Sequence, residues 1–174
     1  WVSLGHMVLR RDGAEWTTLL DSDGMADSYR PVYADRRGNV WIGTLNGGLV
    51  GFGPNDEPLP KRTLPERIVS MSEASDGSLW IGGSTAVYHV TDAGVETFDE
   101  KNGLPRGDVR DVLPDADGNV WIATYGGGLG RLVNGQVRRI ARENGMPDNT
   151  LTRILDDDLG RLWILSNRGL IVVG

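Results

Sequence analysis

The sequence predicts an all-β protein built from a repeated unit, each copy a four-stranded antiparallel sheet. Three observations predict it: a recurring tryptophan phrase, a second mark in the same phase, and hairpin turns between them. The phrase reads Gly38-Asn39-Val40-Trp41-Ile42-Gly43-Thr44, Asp76-Gly77-Ser78-Leu79-Trp80-Ile81-Gly82-Gly83, Asp117-Gly118-Asn119-Val120-Trp121-Ile122-Ala123-Thr124 and Gly160-Arg161-Leu162-Trp163-Ile164-Leu165-Ser166. From Trp41 to Trp80, Trp121 and Trp163 the step stays close to constant, a fixed period of the kind that marks repeat architectures. Counting back one more step from Trp41 reaches Trp1, where Trp1-Val2-Ser3-Leu4 is a degraded copy. Gly103-Leu104-Pro105 and Gly145-Met146-Pro147 supply the second mark, Leu104 preceding Trp121 by the same interval as Met146 precedes Trp163. Leu64 and Met25 hold the same place ahead of Trp80 and Trp41, one position closer. Two unrelated marks in one phase signal a repeated structural unit.

The elements of one unit follow from residues 103 to 144. Gly103-Leu104-Pro105-Arg106-Gly107 is a loop, because Pro and Gly block regular structure. Val109 to Leu113 is the first strand. Pro114-Asp115-Ala116-Asp117-Gly118 is a hairpin turn whose Asp-Gly supplies positive φ. Val120 to Thr124 is the second strand, rich in β-branched and aromatic residues. The glycines 126 to 128 lead to a third strand, Leu129 to Val133. Asn134-Gly135 then turns the chain into a fourth, Gln136 to Ala141.

Val120, Trp121 and Ile122 are apolar without alternation, so this sheet is buried on both faces. Small sheets covered on both faces and repeated at constant period describe the blades of a β-propeller. The residue two after Trp is Gly43, Gly82 or Ala123, small enough to admit the neighbouring blade. Helical repeats would need a helical apolar period and few glycines, and parallel β-helix rungs are shorter. The whole chain, residues 1–174, reads as one propeller segment of eighteen strands. Incomplete blades at both ends make it a partial ring, completed by further blades of a parent protein or by another copy.

Composition narrows the function. Twenty-four acidic residues against 18 basic ones give a net charge of −6, spread along the chain. No basic face points to nucleic acid or anionic lipid. The absence of cysteine excludes disulfides and thiolate metal sites. No apolar run is long enough to span a membrane.

Catalytic signals are sparse. His6 and His89, the two histidines, stand in distant repeats and suggest no Ser-His-Asp or His-cluster arrangement. Asp115, Asp117 and Asn119 share part of a calcium-loop spacing, as do Asp156 to Asp158, but the required Gly and Glu are misplaced and both read as hairpin turns. The run Gly126 to Gly128 lacks the Gly-Lys-Ser/Thr of a phosphate loop. The tryptophans read as blade-packing residues. No cofactor or metal is expected.

The order Gly-Leu-Pro, apolar strand, Asp-x-x-Gly-x-Leu/Val-Trp-Ile-Gly-Thr, Gly-Gly-Leu closely resembles the two-component-regulator propeller repeat. The resemblance is most complete at residues 103–129, good at 145–170 and 38–49, and degraded at 77–90 and 1–10. Ser84-Thr85-Ala86 replaces Gly-Gly-Leu in one copy, and Leu165-Ser166 replaces Gly-Thr in another. The resemblance implies the periplasmic or extracytoplasmic sensor of a bacterial inner-membrane signalling protein, such as a hybrid histidine kinase. It further implies a small-molecule or carbohydrate ligand.

In a propeller the first strand of each unit lines the central channel. Aligning units by their glycines makes Arg30, Val69, Arg110 and Thr152 equivalent, and likewise Pro31, Ser70, Asp111 and Arg153. Arg can pair there with carboxylates or sugar hydroxyls. Arg106, Asp108, Tyr125 and Asn149 belong on the loop rim. The candidate ligand residues are therefore Arg30, Arg106, Arg110, Tyr125, Asn149 and Arg153, with solvated or inter-blade ion pairs as the alternative role. Three functions stand open: a ligand sensor without catalysis, a protein-interaction scaffold, and an enzyme like virginiamycin B lyase, whose chemistry needs a His, an acid and a metal together.

Overall fold

A computed structural model describes residues 1–4, 7–157 without 22–28, and 159–174. His6, Gly24, Met25 and Asp158 lie outside them, as does the side chain of Arg30. The described residues form eighteen strands in five antiparallel sheets, strand for strand the expected number. The first sheet holds β1 (Val2–Leu4), β2 (Met7–Asp12) and β3 (Glu15–Asp21). The second holds β4 (Tyr29–Ala34), β5 (Val40–Thr44), β6 (Gly48–Phe52) and β7 (Arg62–Thr63). The third holds β8 (Ser70–Glu73), β9 (Leu79–Gly82), β10 (Val87–Thr91) and β11 (Gly94–Phe98). The fourth holds β12 (Asp108–Pro114), β13 (Val120–Tyr125), β14 (Gly128–Val133) and β15 (Gln136–Ile140). The fifth holds β16 (Leu151–Asp156), β17 (Leu162–Ser166) and β18 (Gly169–Val173). Every sheet is a meander of sequence neighbours, as hairpin turns at this spacing dictate. These are the blades of a β-propeller.

The chain divides into two compact units, residues 1–69 and 70–174. In the first, Val8 of one blade packs with Val40, Ile42 and Phe52 of the next. In the second, the fourth blade is covered on both faces. Val109, Val112, Val120, Ile122, Leu132 and Val137 meet Trp80, Val87 and Phe98 of the third blade. Ala123 and Leu129, flanked by Leu113 and Trp121, meet Leu151, Ile154, Leu162 and Ile164 of the fifth. Each fully buried Ile or Leu here contributes about 1.5–3 kcal/mol by leaving water. The first strands β8, β12 and β16 lie beside one another, as inner strands must.

The small residue after each tryptophan has the expected purpose. A Cβ on Gly82 would stand 3.0 Å from Val109 of the next blade and 2.6 Å from Ser70 Oγ. The fifth blade breaks the pattern with Leu165, which is 49% exposed. Among the described residues no helix is long and apolar enough to cross a membrane.

Candidate functional site

The two recurring marks of the sequence each perform a local structural task. Asp115 closes the β12–β13 hairpin: its Oδ1 accepts from the main-chain N–H of Asp117 (3.0 Å) and Asn119 (2.8 Å). Its Oδ2 accepts from the indole Nε1 of Trp121 at 2.9 Å. Asp35 holds Trp41 and Asp157 holds Trp163 in the same way, both at 2.9 Å. Partial burial would raise the Asp115 carboxyl, but the Asn119 and Trp121 hydrogen bonds outweigh it and hold it below the usual range. At Asp157 the Trp163 bond is the largest influence, and the carboxyl falls to about 2. Of the aspartates that share part of a calcium-loop spacing, Asp115 and Asp157 are thus occupied by the turn itself.

The Gly-Leu-Pro mark ends a short 3-10 turn. Residues Glu100–Asn102 turn under the cap of Asp99, and Gly103 terminates them at φ 89°, in the left-handed region. Leu104 then enters the core. Arg142–Asn144, Gly145 and Met146 repeat the turn and its left-handed glycine, with Ala141 in place of the capping aspartate. These two turns escape the sequence reading because so short a segment carries no periodicity.

The opposite end of the fourth blade gathers exposed polar and aromatic groups. The register of β12 against β13 slips between Val109 and Asp111, so Arg110 is the extra residue of a β-bulge. Its guanidinium lies 4.9 Å above the Tyr125 ring, and its Nη2 donates to Asp108 Oδ2 at 3.4 Å. Asp108 pairs across the sheet with Tyr125, a residue 47% exposed. Arg106, on the leading loop, forms an exposed ion pair with Glu100. That loop is pressed onto Gly127, where a Cβ would stand 2.1 Å from the Arg106 carbonyl oxygen. Two open grooves flank it, of about 650 and 480 Å³, and Lys101 and Arg106 line both. Arg139 reaches the larger, and Asp108 the smaller.

Three of the six candidate ligand residues therefore share one end of the fourth blade: Arg106, Arg110 and Tyr125. Asn149 sits at the neighbouring rim with its side chain turned inward, accepting from the Arg142 N–H at 2.7 Å. Its carbonyl accepts from Gly126 and Gly128. Arg153 lies on the inner strand β16, its Nε 3.4 Å from Asp111 Oδ2. The register sets Ser70, Asp111 and Arg153 opposite the residue two after each tryptophan, as their alignment requires. Asp111 is buried and accepts from the Ile154 N–H of the next blade at 2.9 Å. Burial pushes its carboxyl up, offset in part by Ile154 and Arg153.

His89 belongs to the third blade. Its ring stacks on Trp80 at 4.3 Å and 10°, and Nε2 meets Ser78 Oγ at 2.8 Å. Ser78 Oγ in turn donates to Asp76. Among the described residues no three His, Cys, Asp or Glu side chains form a metal-binding group.

Comparison with known proteins bears on the fold. Residues 103–126 match the family model described as two component regulator propeller. An uncharacterised protein of Sulfolobus acidocaldarius is 28% identical over 63% of this chain, and the chain spans 46% of that protein's length. Among solved structures, the extracellular domain assigned to a hybrid two component system of B. thetaiotaomicron is similar with a TM-score of 0.72 and 20% identity, covering 95% of this chain and 27% of its own. PorZ, a surface component of the type-IX secretion system of Porphyromonas gingivalis, is similar at TM-score 0.74 and 18% identity, over 98% of this chain and 29% of its own. Virginiamycin B lyase from Staphylococcus aureus is similar at TM-score 0.74 and 13% identity, over 97% of this chain and 63% of its own. At these identities the structural likenesses establish the propeller fold.

Proposed function

We propose that this chain, which carries the two component regulator propeller repeat at residues 103–126, is the ligand-sensing propeller of a membrane signalling protein. It faces the extracytoplasmic side, binds a small molecule or carbohydrate, and performs no chemistry of its own. One observation carries the reading: the matched segment is the one that places Arg106, Asp108, Arg110 and Tyr125 together at one end of the fourth blade. Arg106 and Asp108 line a groove there, and a few convergent polar groups are what orient a small ligand in such a concavity. The lyase-like alternative draws on fold likeness, but His89 is engaged by Trp80 and Ser78 in another blade.

A panel of mono- and oligosaccharides screened by thermal shift tests this function, with signalling output of the full-length protein as the second readout. A ligand that raises the melting temperature and loses both effects in Tyr125→Ala supports it. Output that persists unchanged in both Tyr125→Ala and Arg110→Ala rules out this rim as the sensing site.

A second reading, a docking scaffold, has its own observation. Leu155, Leu165, Leu170 and Val172 of the fifth blade are each half-exposed. Apolar exposure of that kind marks interaction surfaces. Concentration-dependent association in light scattering, lost when Leu165 and Leu170 are changed to Ser, would favour it.

A further inference from the structure

We infer that the ligand of the fourth-blade rim carries a carboxylate, as an acidic sugar does, and that Arg110 receives it; this rests on the ligand-sensing reading above. A guanidinium presents five N–H groups in a planar fork. Among the described residues Arg110 spends one of them, in a long 3.4 Å contact with Asp108. Its Nε is shut off from water and has no acceptor. The side chain is 37% exposed, so the terminal N–H groups are the ones a ligand can reach. Arg131 of the same blade also has an Nε without an acceptor, but its guanidinium lies against Trp121, whereas Arg139 is better supplied, donating to the Gly127 carbonyl at 2.6 Å and also to Glu143. Arg161 donates to Asp157 at 2.7 Å.

The fold holds this fork in place. Arg110 is the extra residue of the bulge, and its guanidinium is held over the Tyr125 ring at 4.9 Å. A pre-oriented fork with free donors favours a planar bidentate oxyanion over a lone hydroxyl. The same fork could serve phosphate. Asp108, already at the guanidinium, decides between them, because a phosphate near neutral pH brings roughly −1.5 to −2 charges against that carboxylate. A carboxylate brings one. The half-exposed Tyr125 ring supplies an apolar surface for the C–H face of a sugar. A uronate joins the two properties in one molecule.

Titration of the chain with galacturonate, galactose and inorganic phosphate, followed through arginine Nε–H NMR signals, tests this. Galacturonate is expected to shift the Arg110 signal and to bind about tenfold or more tighter than galactose, the gain of one charge-assisted bidentate pair. Phosphate should bind no tighter than galacturonate. Arg110→Gln and Arg110→Lys should each lose about tenfold or more, Lys because it keeps the charge and loses the fork. Arg138→Gln, on the exposed side of β15, serves as the control and should bind as the parent does. Equal binding of galactose and galacturonate, with Arg110→Gln indifferent, overturns the carboxylate inference and leaves a neutral-sugar sensor standing. Tighter phosphate binding overturns it in favour of a phosphorylated ligand. No Arg110 shift at millimolar galacturonate overturns it as well, while the saccharide panel and the output assay judge the sensor reading separately.

Discussion

In the fourth blade the Trp121 indole donates to Asp115 and its ring lies 5.1 Å from the Arg131 guanidinium. In the third blade Ala74 stands where that aspartate would be, and Ala74 packs against the apolar core instead. Trp80 there lies flat on His89 and tilts against Phe98 at 5.6 Å. His89 is anchored in turn through Ser78 to Asp76. One blade thus pins its tryptophan by the polar edge and the other by the ring face. The carboxylate has moved two positions along the turn and acts through two intermediaries. The comparison teaches that the repeat fixes where the tryptophan sits, while the means of fixing it can change.

The largest effect should come from removing the rings themselves. Trp80→Ala should cost about 3–5 kcal/mol in urea unfolding, because Trp80 is buried. Trp121→Ala should fall at or below the lower end of that range, since its ring is half-buried. Equal losses would mean that the two blades are anchored alike. Next, Asp115→Ala should cost roughly 1–3 kcal/mol by leaving the Trp121 and Asn119 donors without an acceptor, and Asp76→Ala should cost less. His89→Ala should cost about 1 kcal/mol for the lost ring stacking, and Trp80 fluorescence should shift with it.

The smallest effect is the dependence on acid. Asp115 and Asp35 are held below the ordinary carboxylate range, and Asp157 near 2 against a usual 3.8. Because these carboxyls are depressed in the folded state, their contribution is complete above the unfolded value near 4. It is lost as pH falls from there towards 2. The indole N–H signals of Trp41, Trp121 and Trp163 should therefore move across that window. That of Trp80 should move less, because Asp76, also held below the ordinary range by Ser78, reaches it only through Ser78 and His89. Equal movement of all four would dissolve the distinction between the blades.

Most of the fold was legible because its punctuation is local. The strand expected at 120–124 appears at Val120–Tyr125, and the one expected at 136–141 appears at Gln136–Ile140, since Asp-Gly and Asn-Gly turns set register locally. The bond from Trp121 to Asp115 was not legible. It needs the hairpin to fold back before the two side chains meet, and the aspartate reads equally well as a turn residue. Of the candidate residues, sequence placed Arg106 and Tyr125 on the loop rim and Arg110 on the channel-lining strand by propeller geometry. That Arg110 would stack on Tyr125 depends on a bulge, and no spacing rule marks which residue is extra. Asn149 shows the limit from the other side, because a polar residue on a rim can be consumed by the backbone beneath it.

The short sequence span of the aspartate–tryptophan bond has a kinetic consequence. A contact that closes so small a loop loses little chain entropy before it forms, and hairpins of this kind assemble in about 1–10 μs. Three blades carry such a contact, at Trp41, Trp121 and Trp163, and each is a place where folding can begin and spread to its neighbours. The third blade anchors its tryptophan through strands β10 and β11 as well, so its order arrives only when the sheet is nearly complete. A higher φ-value at Trp121 than at Trp80 is the signature of that sequence of events.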